Sequence, residues 1–95
     1  MKKYQELAGA LYILRGYRAT TENLALGLCE EAGELAKAVN LLSSTYIPKE
    51  GYEAHDVEHE IYDCLMYILH LANNQNIEID LDGHLNNKLD MFGHG

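Results

Sequence analysis

Several residue types are scarce in this 95-residue chain, and each scarcity excludes something. There is one proline and no tryptophan, and two cysteines are too few for a disulfide-rich scaffold. The chain has only 7 basic residues but 15 acidic ones. The resulting formal net charge of −8 argues against binding to nucleic acid or to anionic membranes. No apolar run approaches the roughly 20 residues of a membrane span. We therefore expect a reduced, cytoplasmic protein.

The residues that are present favour one helical domain covering positions 1–95. The chain is rich in leucine, alanine and glutamate, which are good helix formers. The pattern predicts helices over about 3–15, from 20 or 21 to 43, from 56 to 74, and from 80 or 82 to 90, with a loop at 44–51. The capping candidates are Thr20 or Thr21, Asp56, and Asp80 or Asp82. We predict an all-α bundle of four to five helices.

The second helix carries a heptad pattern that is typical of helix packed on helix. Positions 24, 28, 31, 35, 38 and 42 hold Leu, Leu, Glu, Leu, Ala and Leu. Glu31 thus lies in the middle of an otherwise apolar stripe. Glu30 and Glu34 lie about 100° and 60° to one side of it. Three carboxylates are therefore expected on and beside the packed face.

The third helix combines an acidic edge with an unusually apolar body. Glu60, Asp63 and Tyr67 share one edge, beside a stripe of five residues: Ile61, Cys64, Leu65, Ile68 and Leu71. From 64 to 72 only His70 is strongly polar, and a helix that is apolar on most sides is buried on most sides. We expect the extra coverage to come from another subunit. The five histidines show no paired metal spacing, which predicts surface or capping positions for them.

The acidic residues of the two long helices point to a cation. Burying unpaired carboxylates is costly, and few basic residues are near: Lys37 follows Glu34 by one turn, and Lys88 is far along the chain. Mg²⁺ takes oxygen ligands and keeps waters, which leaves room for substrate phosphates. The alternative is that both acidic clusters are solvated helix faces.

Together these acids resemble a known family. The pattern E-E-x-x-E at 30–34, followed after 25 residues by E-x-x-D at 60–63, is similar to the MazG-like nucleoside triphosphate pyrophosphohydrolases of the all-α NTP pyrophosphatase superfamily. Asn23, with the Leu-Ala-Leu that follows it, and Tyr67 resemble the dCTP pyrophosphatase branch. The resemblance covers about 23–88 and implies a helical dimer or tetramer.

The resemblance also implies an activity and a site. Such enzymes cleave the α–β bond of a (deoxy)nucleoside triphosphate, such as dCTP, and release the monophosphate and pyrophosphate. The implied Mg²⁺ ligands, for which Mn²⁺ would be a substitute ion, are Glu31, Glu34, Glu60 and Asp63. Glu30 would be a further ligand, or it would orient or deprotonate the attacking water. Glu30 and Glu31 are the two residues to which the resemblance assigns a catalytic role. The implied substrate-binding residues are Asn23, Lys37, Tyr67, Asn87 and Lys88.

Several alternatives stay open at this point. A phosphoribosyl-ATP pyrophosphatase would need a richer basic complement than this chain has. A non-enzymatic acidic helical oligomerisation module would show no response to Mg²⁺. A ferritin-like di-iron site would need Glu-x-x-His on two helices. The nearest match in this chain, Asp56-x-x-His59, occurs once. Tyr67 is a core residue or a base-stacking one, and Lys88 is a phosphate contact or a helix-end lysine. The base specificity would depend on the first helix, the loop of residues 44–55 and a neighbouring subunit.

Overall fold

The described residues form four α-helices. A computed structural model describes residues 1–43 and 54–93, with side chains for 1–40 and 56–93. The helices are α1 (Lys2–Leu14), α2 (Thr21–Ser43), α3 (Ala54–Asn74) and α4 (Leu81–Gly93). The described ranges contain no strand, and the all-α prediction is confirmed. The predicted loop at 44–51 and the side chain of Leu42 lie outside the described residues.

The helix boundaries follow local capping chemistry. The Thr20 hydroxyl accepts a hydrogen bond from the Asn23 amide at 3.1 Å, and the Asp80 carboxylate accepts one from the Gly83 amide at 3.0 Å. These side chains satisfy amide groups that the first helical turn leaves without partners. Of the alternatives from sequence, Thr20 and Asp80 are therefore the caps of α2 and α4.

Two boundaries differ from the sequence prediction. The third helix begins at Ala54, so that Asp56 lies in its first turn and is not the cap. The fourth helix continues past residue 90 to Gly93, because Met91 and Phe92 do not interrupt it. The first helix ends as predicted near Gly16, whose φ of 68° lies in the left-handed region that favours glycine.

Helix α3 packs against both α1 and α2. On α2 the predicted heptad pattern faces this contact: Leu24 and Ala38 are buried, and Leu28, Glu31 and Leu35 are half-buried. Among the residues whose side chains are described, six apolar residues form the small core: Ala8, Leu24, Ala38, Cys64, Leu69 and Ala72. Glu31 is therefore held at the α2–α3 contact, as the pattern predicted.

The apolar stripe predicted on α3 is only partly buried. Ile61, Leu65 and Ile68 are 42%, 41% and 39% exposed, whereas Leu69 and Ala72, outside that stripe, are buried. The contacts of α1 with α3 include Tyr12 on His70 and Gln5 on Asn73, both in the last turns of α3. The shorter helix α1 thus leaves the earlier turns of α3 uncovered.

Helix α4 approaches no other helix of the described chain. Its apolar residues are open to solvent, with Leu89 68% and Phe92 74% exposed. The Cα radius of gyration is 16.5 Å, against about 12 Å for a compact chain of this length. One chain therefore leaves a large apolar surface uncovered.

The segment between α3 and α4 is nevertheless held in place. The buried side chain of Gln5 donates to Ile77 O at 2.7 Å and accepts from the Ile79 amide at 2.9 Å. The amino group of Met1 donates to Ile79 O at 2.8 Å, and the side-chain amide of Asn73 (Nδ2) donates to Gln5 O at 2.9 Å. These hydrogen bonds define the point from which α4 extends. No helix of the described residues is both long and apolar enough to span a bilayer.

Candidate active site

Three carboxylates converge where α2 and α3 pack together. Glu31 comes from α2, and Glu60 and Asp63 come from successive turns of α3. One oxygen from each lies within 4.8 Å of the others, and all three residues are half-buried. Spacing of i, i+3 places residues one above the other on a helix face. The three residues, which we call the acidic triad, therefore face one point between the helices.

The triad lacks positive charge. The pKa of the Glu31 carboxyl is raised above its ordinary value of 4.5, first by burial, then by hydrogen bonding with Glu60 and by repulsion from Asp63. One oxygen of Glu60, Oε2, is buried and has no hydrogen-bond partner among the described residues. Within the described chain the only cationic group paired with the triad is His59, whose Nε2 lies 3.8 Å from Asp63 Oδ2 and is positive only when protonated. The negative charge of the triad is thus not balanced by the described residues.

Such a donor set fits a hard divalent cation. Carboxylate oxygens are the preferred ligands of Mg²⁺ and Mn²⁺, and a buried oxygen without a partner is the atom that such an ion would satisfy. Burial, followed by the negative charges of Glu31 and Glu60, raises the pKa of the neighbouring Cys64 thiol above its ordinary value.

A cavity of about 380 Å³ opens beside the triad. Glu31 and Asp63 border it, and α1, the α1–α2 turn, α2 and α3 form its walls. The other lining residues are mainly apolar or aromatic: Leu11, Tyr12, Arg15, Tyr17, Ala19, Asn23, Leu24, Met66, Tyr67 and His70. A cavity that combines apolar and polar lining, next to a charged cluster, is a common form of a small-molecule site.

A model of the MazG nucleotide pyrophosphohydrolase domain matches residues 19–90, which is more than half of the chain. The chain belongs to the MazG nucleotide pyrophosphohydrolase family. It is therefore a nucleoside triphosphate pyrophosphohydrolase, a hydrolase acting on phosphoric anhydrides, and the non-enzymatic alternative loses its support. No curated protein and no solved structure matches the chain.

The remaining acids of the MazG-like motif lie next to the triad on α2. Glu34 is exposed, yet its charge contributes to raising the pKa of Glu31, which shows that it is close enough to repel. It is not among the residues whose oxygens lie within 4.8 Å of one another. Glu30 is exposed beside Glu31. The roles given to Glu30 and Glu34 from sequence stay predictions.

Asn23 and Tyr67, the two residues that resemble the dCTP branch, both border the cavity. Asn23 is exposed in the first turn of α2. The half-buried ring of Tyr67 also packs on Gly27 of α2, where an added Cβ would lie 2.5 Å from Cζ of the ring. Tyr67 therefore packs in the α2–α3 contact and also borders the cavity beside the triad.

The three remaining predicted substrate contacts are not brought to the triad within one chain. Lys37 is exposed on α2. Asn87 and Lys88 lie on α4, which packs on no other helix of the described residues, and the Lys88 ammonium lies 5.9 Å from the Phe92 ring centroid. None of these three residues is in the described lining of the cavity beside the triad.

The cavity wall contains an aromatic cluster that was not predicted from the sequence. Tyr12, Tyr17 and His70 contact one another, with the Arg15 guanidinium 4.9 Å from the Tyr17 ring centroid. The prediction of a surface or capping position is wrong for His70, which is 7% exposed. The signal was present: His70 is the single strongly polar residue in an apolar helical run. The side chain of His55 and residue His94 lie outside the described residues.

Proposed function

We propose that this chain is a Mg²⁺-dependent enzyme that converts (deoxy)nucleoside triphosphates to the monophosphate and pyrophosphate, with Mn²⁺ as a substitute ion. Membership of the MazG family carries the general activity. The observation that supports metal dependence is the acidic triad, in which a buried Glu60 oxygen has no partner within the part of the chain that the structure describes. Such a group needs a positively charged partner to offset the cost of its burial.

The proposed roles follow from position. Glu31, Glu60 and Asp63 would hold the cation, with Glu34 as the fourth ligand. When bound, a divalent cation supplies charge that offsets the triphosphate and activates water. In the hydrolysis, water adds to the α-phosphorus, the bond to the α–β bridging oxygen breaks, and the water loses a proton. Glu30, beside Glu31 and open to solvent, is proposed to orient that water or to accept the proton.

The proposed substrate is a deoxynucleotide such as dCTP. Asn23 and Tyr67, which carry the resemblance to that branch, both border the cavity that adjoins the triad. Arg15 is the one cationic residue in the described lining of this cavity. This small basic complement favours a plain nucleotide over phosphoribosyl-ATP, which carries an additional phosphoribosyl group.

We also propose that the working unit is a homodimer or a homotetramer. Helix α4 presents Leu81, Leu85, Leu89 and Phe92 on one side, and α3 presents Ile61, Leu65 and Ile68, all substantially exposed. Exposed apolar surface of this extent marks an interaction site. Lys88 lies on the same side of α4 as the apolar residues at about 100° per residue. A second copy packed on α4 would therefore let Lys88 and Asn87 approach a substrate from across the interface.

A cytoplasmic location is part of the proposal. Cys29 and Cys64 are both free, as is usual for thiols in a reducing compartment.

The test is pyrophosphate release from a panel of ribo- and deoxynucleoside triphosphates and phosphoribosyl-ATP, with and without Mg²⁺. We expect Mg²⁺-dependent release, highest with a deoxynucleotide. Glu60→Gln should reduce the rate by orders of magnitude. The matched control Glu78→Gln, at an exposed acid between α3 and α4, should not. Full activity in a chelator, or in Glu60→Gln, would contradict the metal-dependent mechanism.

A further inference from the structure

The cavity beside the triad has two chemically different ends. Glu31 and Asp63 border one end, and an aromatic cluster of Tyr12, Tyr17 and His70 forms the other. Within the cluster the Tyr12 and His70 ring centroids lie 5.2 Å apart at 63°, and those of Tyr17 and His70 lie 6.3 Å apart at 69°. These are edge-to-face arrangements, which hold the rings in fixed orientations.

The tyrosines are held by contacts of their own. The Tyr12 hydroxyl accepts a hydrogen bond from the Ala19 amide at 2.7 Å, which ties α1 to the turn before α2. The Arg15 guanidinium lies 4.9 Å from the centroid of the Tyr17 ring. Both rings are therefore positioned before any ligand binds, and Tyr17, at 44% exposed, keeps part of its surface open.

His70 differs from the tyrosines because it is almost fully buried, at 7% exposed. Its ring contacts are with Tyr12 and Tyr17, and within the described residues its nitrogens are not among the fully buried atoms that lack a hydrogen-bond partner. The imidazole borders the cavity, where a ligand can supply a hydrogen-bond partner.

The spacing between the two ends suits a nucleotide. His70 follows Asp63 by seven residues on α3, which is two turns and about 10 Å along the helix axis. A nucleoside monophosphate bridges a distance of this order between its phosphate and the far edge of its base. A nucleotide with its phosphates at the triad would therefore place its base among the three rings.

We propose that the aromatic cluster of Tyr12, Tyr17 and His70 binds the base of the nucleotide, and that His70 determines base preference by hydrogen bonding to the polar edge of the base. The inference rests on the proposed function for the position of the phosphates. Aromatic side chains stack on any base, whereas hydrogen bonds to base edges discriminate. A neutral imidazole offers one donor and one acceptor for that purpose.

The origin of these residues in the chain supports a role in preference. The triad lies within residues 19–90, where the MazG domain matches, whereas Tyr12, Arg15 and Tyr17 precede that range. The hydrolytic residues thus belong to the shared motif, and most of the aromatic cluster belongs to the part of this chain outside the match.

The test is calorimetric binding of the four deoxynucleoside triphosphate analogues with a methylene group in place of the α–β bridging oxygen, in Mg²⁺. Inorganic tripolyphosphate serves as the base-free probe. We expect the wild type to bind one analogue about tenfold more tightly than tripolyphosphate, the contribution of a stacked and hydrogen-bonded base. His70→Phe should reduce the differences among the four bases to about twofold and leave tripolyphosphate binding unchanged. His84→Phe, at an exposed histidine on α4, should keep the wild-type preference.

A second variant covers the case in which His70→Phe fails to fold, which circular dichroism would reveal. Tyr17→Leu alters an exposed ring and should reduce the advantage of the favoured analogue over tripolyphosphate several-fold, with no change for tripolyphosphate itself. The inference is overturned if the wild type binds no analogue better than tripolyphosphate, or if folded His70→Phe keeps the base preference. A wild type that releases no pyrophosphate from any nucleotide would instead overturn the proposed function.

Discussion

The ring of Tyr67 on α3 lies directly against the backbone of Gly27 on α2. A Cβ atom at position 27 would lie 2.5 Å from the ring Cζ and 2.9 Å from the hydroxyl oxygen. Gly27 is buried, and its missing side chain is what allows the two helices to approach at this level. The same ring borders the cavity, so the helix contact and the shape of the site depend on one pair of residues.

Gly27→Ala should therefore destabilise the fold. The added methyl group forces Tyr67 or α2 to move, at a cost of about 1–3 kcal/mol that exceeds the gain in helix propensity of about 1 kcal/mol. Gly33→Ala is the matched control in the same helix, because nothing lies within 4 Å of its added Cβ. It should be neutral or stabilising. Urea unfolding of both variants measures this, and equal effects would refute the packing argument.

Glu31→Gln should separate catalysis from stability. The amide keeps the shape but removes a negative charge from the triad, so pyrophosphate release should fall by orders of magnitude. Because repulsion is relieved, the metal-free variant should unfold at the same temperature as the wild type or higher. In Mg²⁺ at a hundredfold excess over its Kd the wild type should gain about 2.7 kcal/mol, and the variant much less.

The control for this experiment is Glu22→Gln, at an exposed acid in the first turn of α2. It should keep both the activity and the Mg²⁺ response. A wild-type melting temperature that does not change in excess Mg²⁺, together with intact hydrolysis in Glu31→Gln, would end the metal-site hypothesis.

The burial of His70 predicts a dependence of stability on pH. Burial, and then the positive charge of Arg15, lowers the pKa of His70 below its ordinary value of 6.5. The groups in contact with it from α1 and the following turn are Tyr12 and Tyr17. Below pH 6.5 the unfolded chain binds a proton that the folded chain does not, so stability falls as the pH falls towards the lowered pKa.

His70→Phe should remove that contribution. The difference in free energy of unfolding between wild type and variant should be constant above about pH 7 and should shift in favour of the variant as the medium is acidified. His84→Phe supplies the comparison for an exposed histidine. A difference between wild type and His70→Phe that does not vary with pH would show that His70 titrates normally in the folded protein.

Gln5→Leu should weaken the hydrogen bonds that hold the segment between α3 and α4 in place. Leucine cannot accept from the Ile79 amide or donate to Ile77 O, so partly buried groups lose their partners, at about 1–3 kcal/mol. Gln75→Leu, at an exposed side chain, is the control. We expect faster hydrogen exchange at the Ile79 amide in Gln5→Leu alone. Unchanged protection there would show that other contacts hold this segment.

Leu89→Glu should disrupt the oligomer without unfolding the chain. Leu89 is 68% exposed on a helix that contacts no other helix of the described chain, so the change costs a single chain little. Light scattering at micromolar concentration should show a dimer or tetramer for the wild type and a smaller species for the variant. Asn86→Glu adds the same charge on a different side of α4 and should keep the assembly. A monomeric wild type would contradict the proposal.

Local patterns in the sequence predicted the all-α class, most helix boundaries and a group of five acids that includes Glu31, Glu60 and Asp63. Helical periodicity and spacing are local properties, and they placed Glu31 in a packed stripe and Glu60 and Asp63 on one edge without knowledge of the third dimension. The caps Thr20 and Asp80 were among the sequence candidates for the same reason, because a cap acts on its own first turn.

Contacts between distant segments of the chain could not be predicted from the sequence. The cluster of Tyr12, Tyr17 and His70 joins residues more than 50 positions apart, and no periodicity along the chain reveals such a contact. The same holds for Gln5, which reaches the segment before α4, and for the exposure of Ile61, Leu65 and Ile68. An apolar pattern shows that a face tends to be buried, but the length and direction of the neighbouring helix decide which residues are covered.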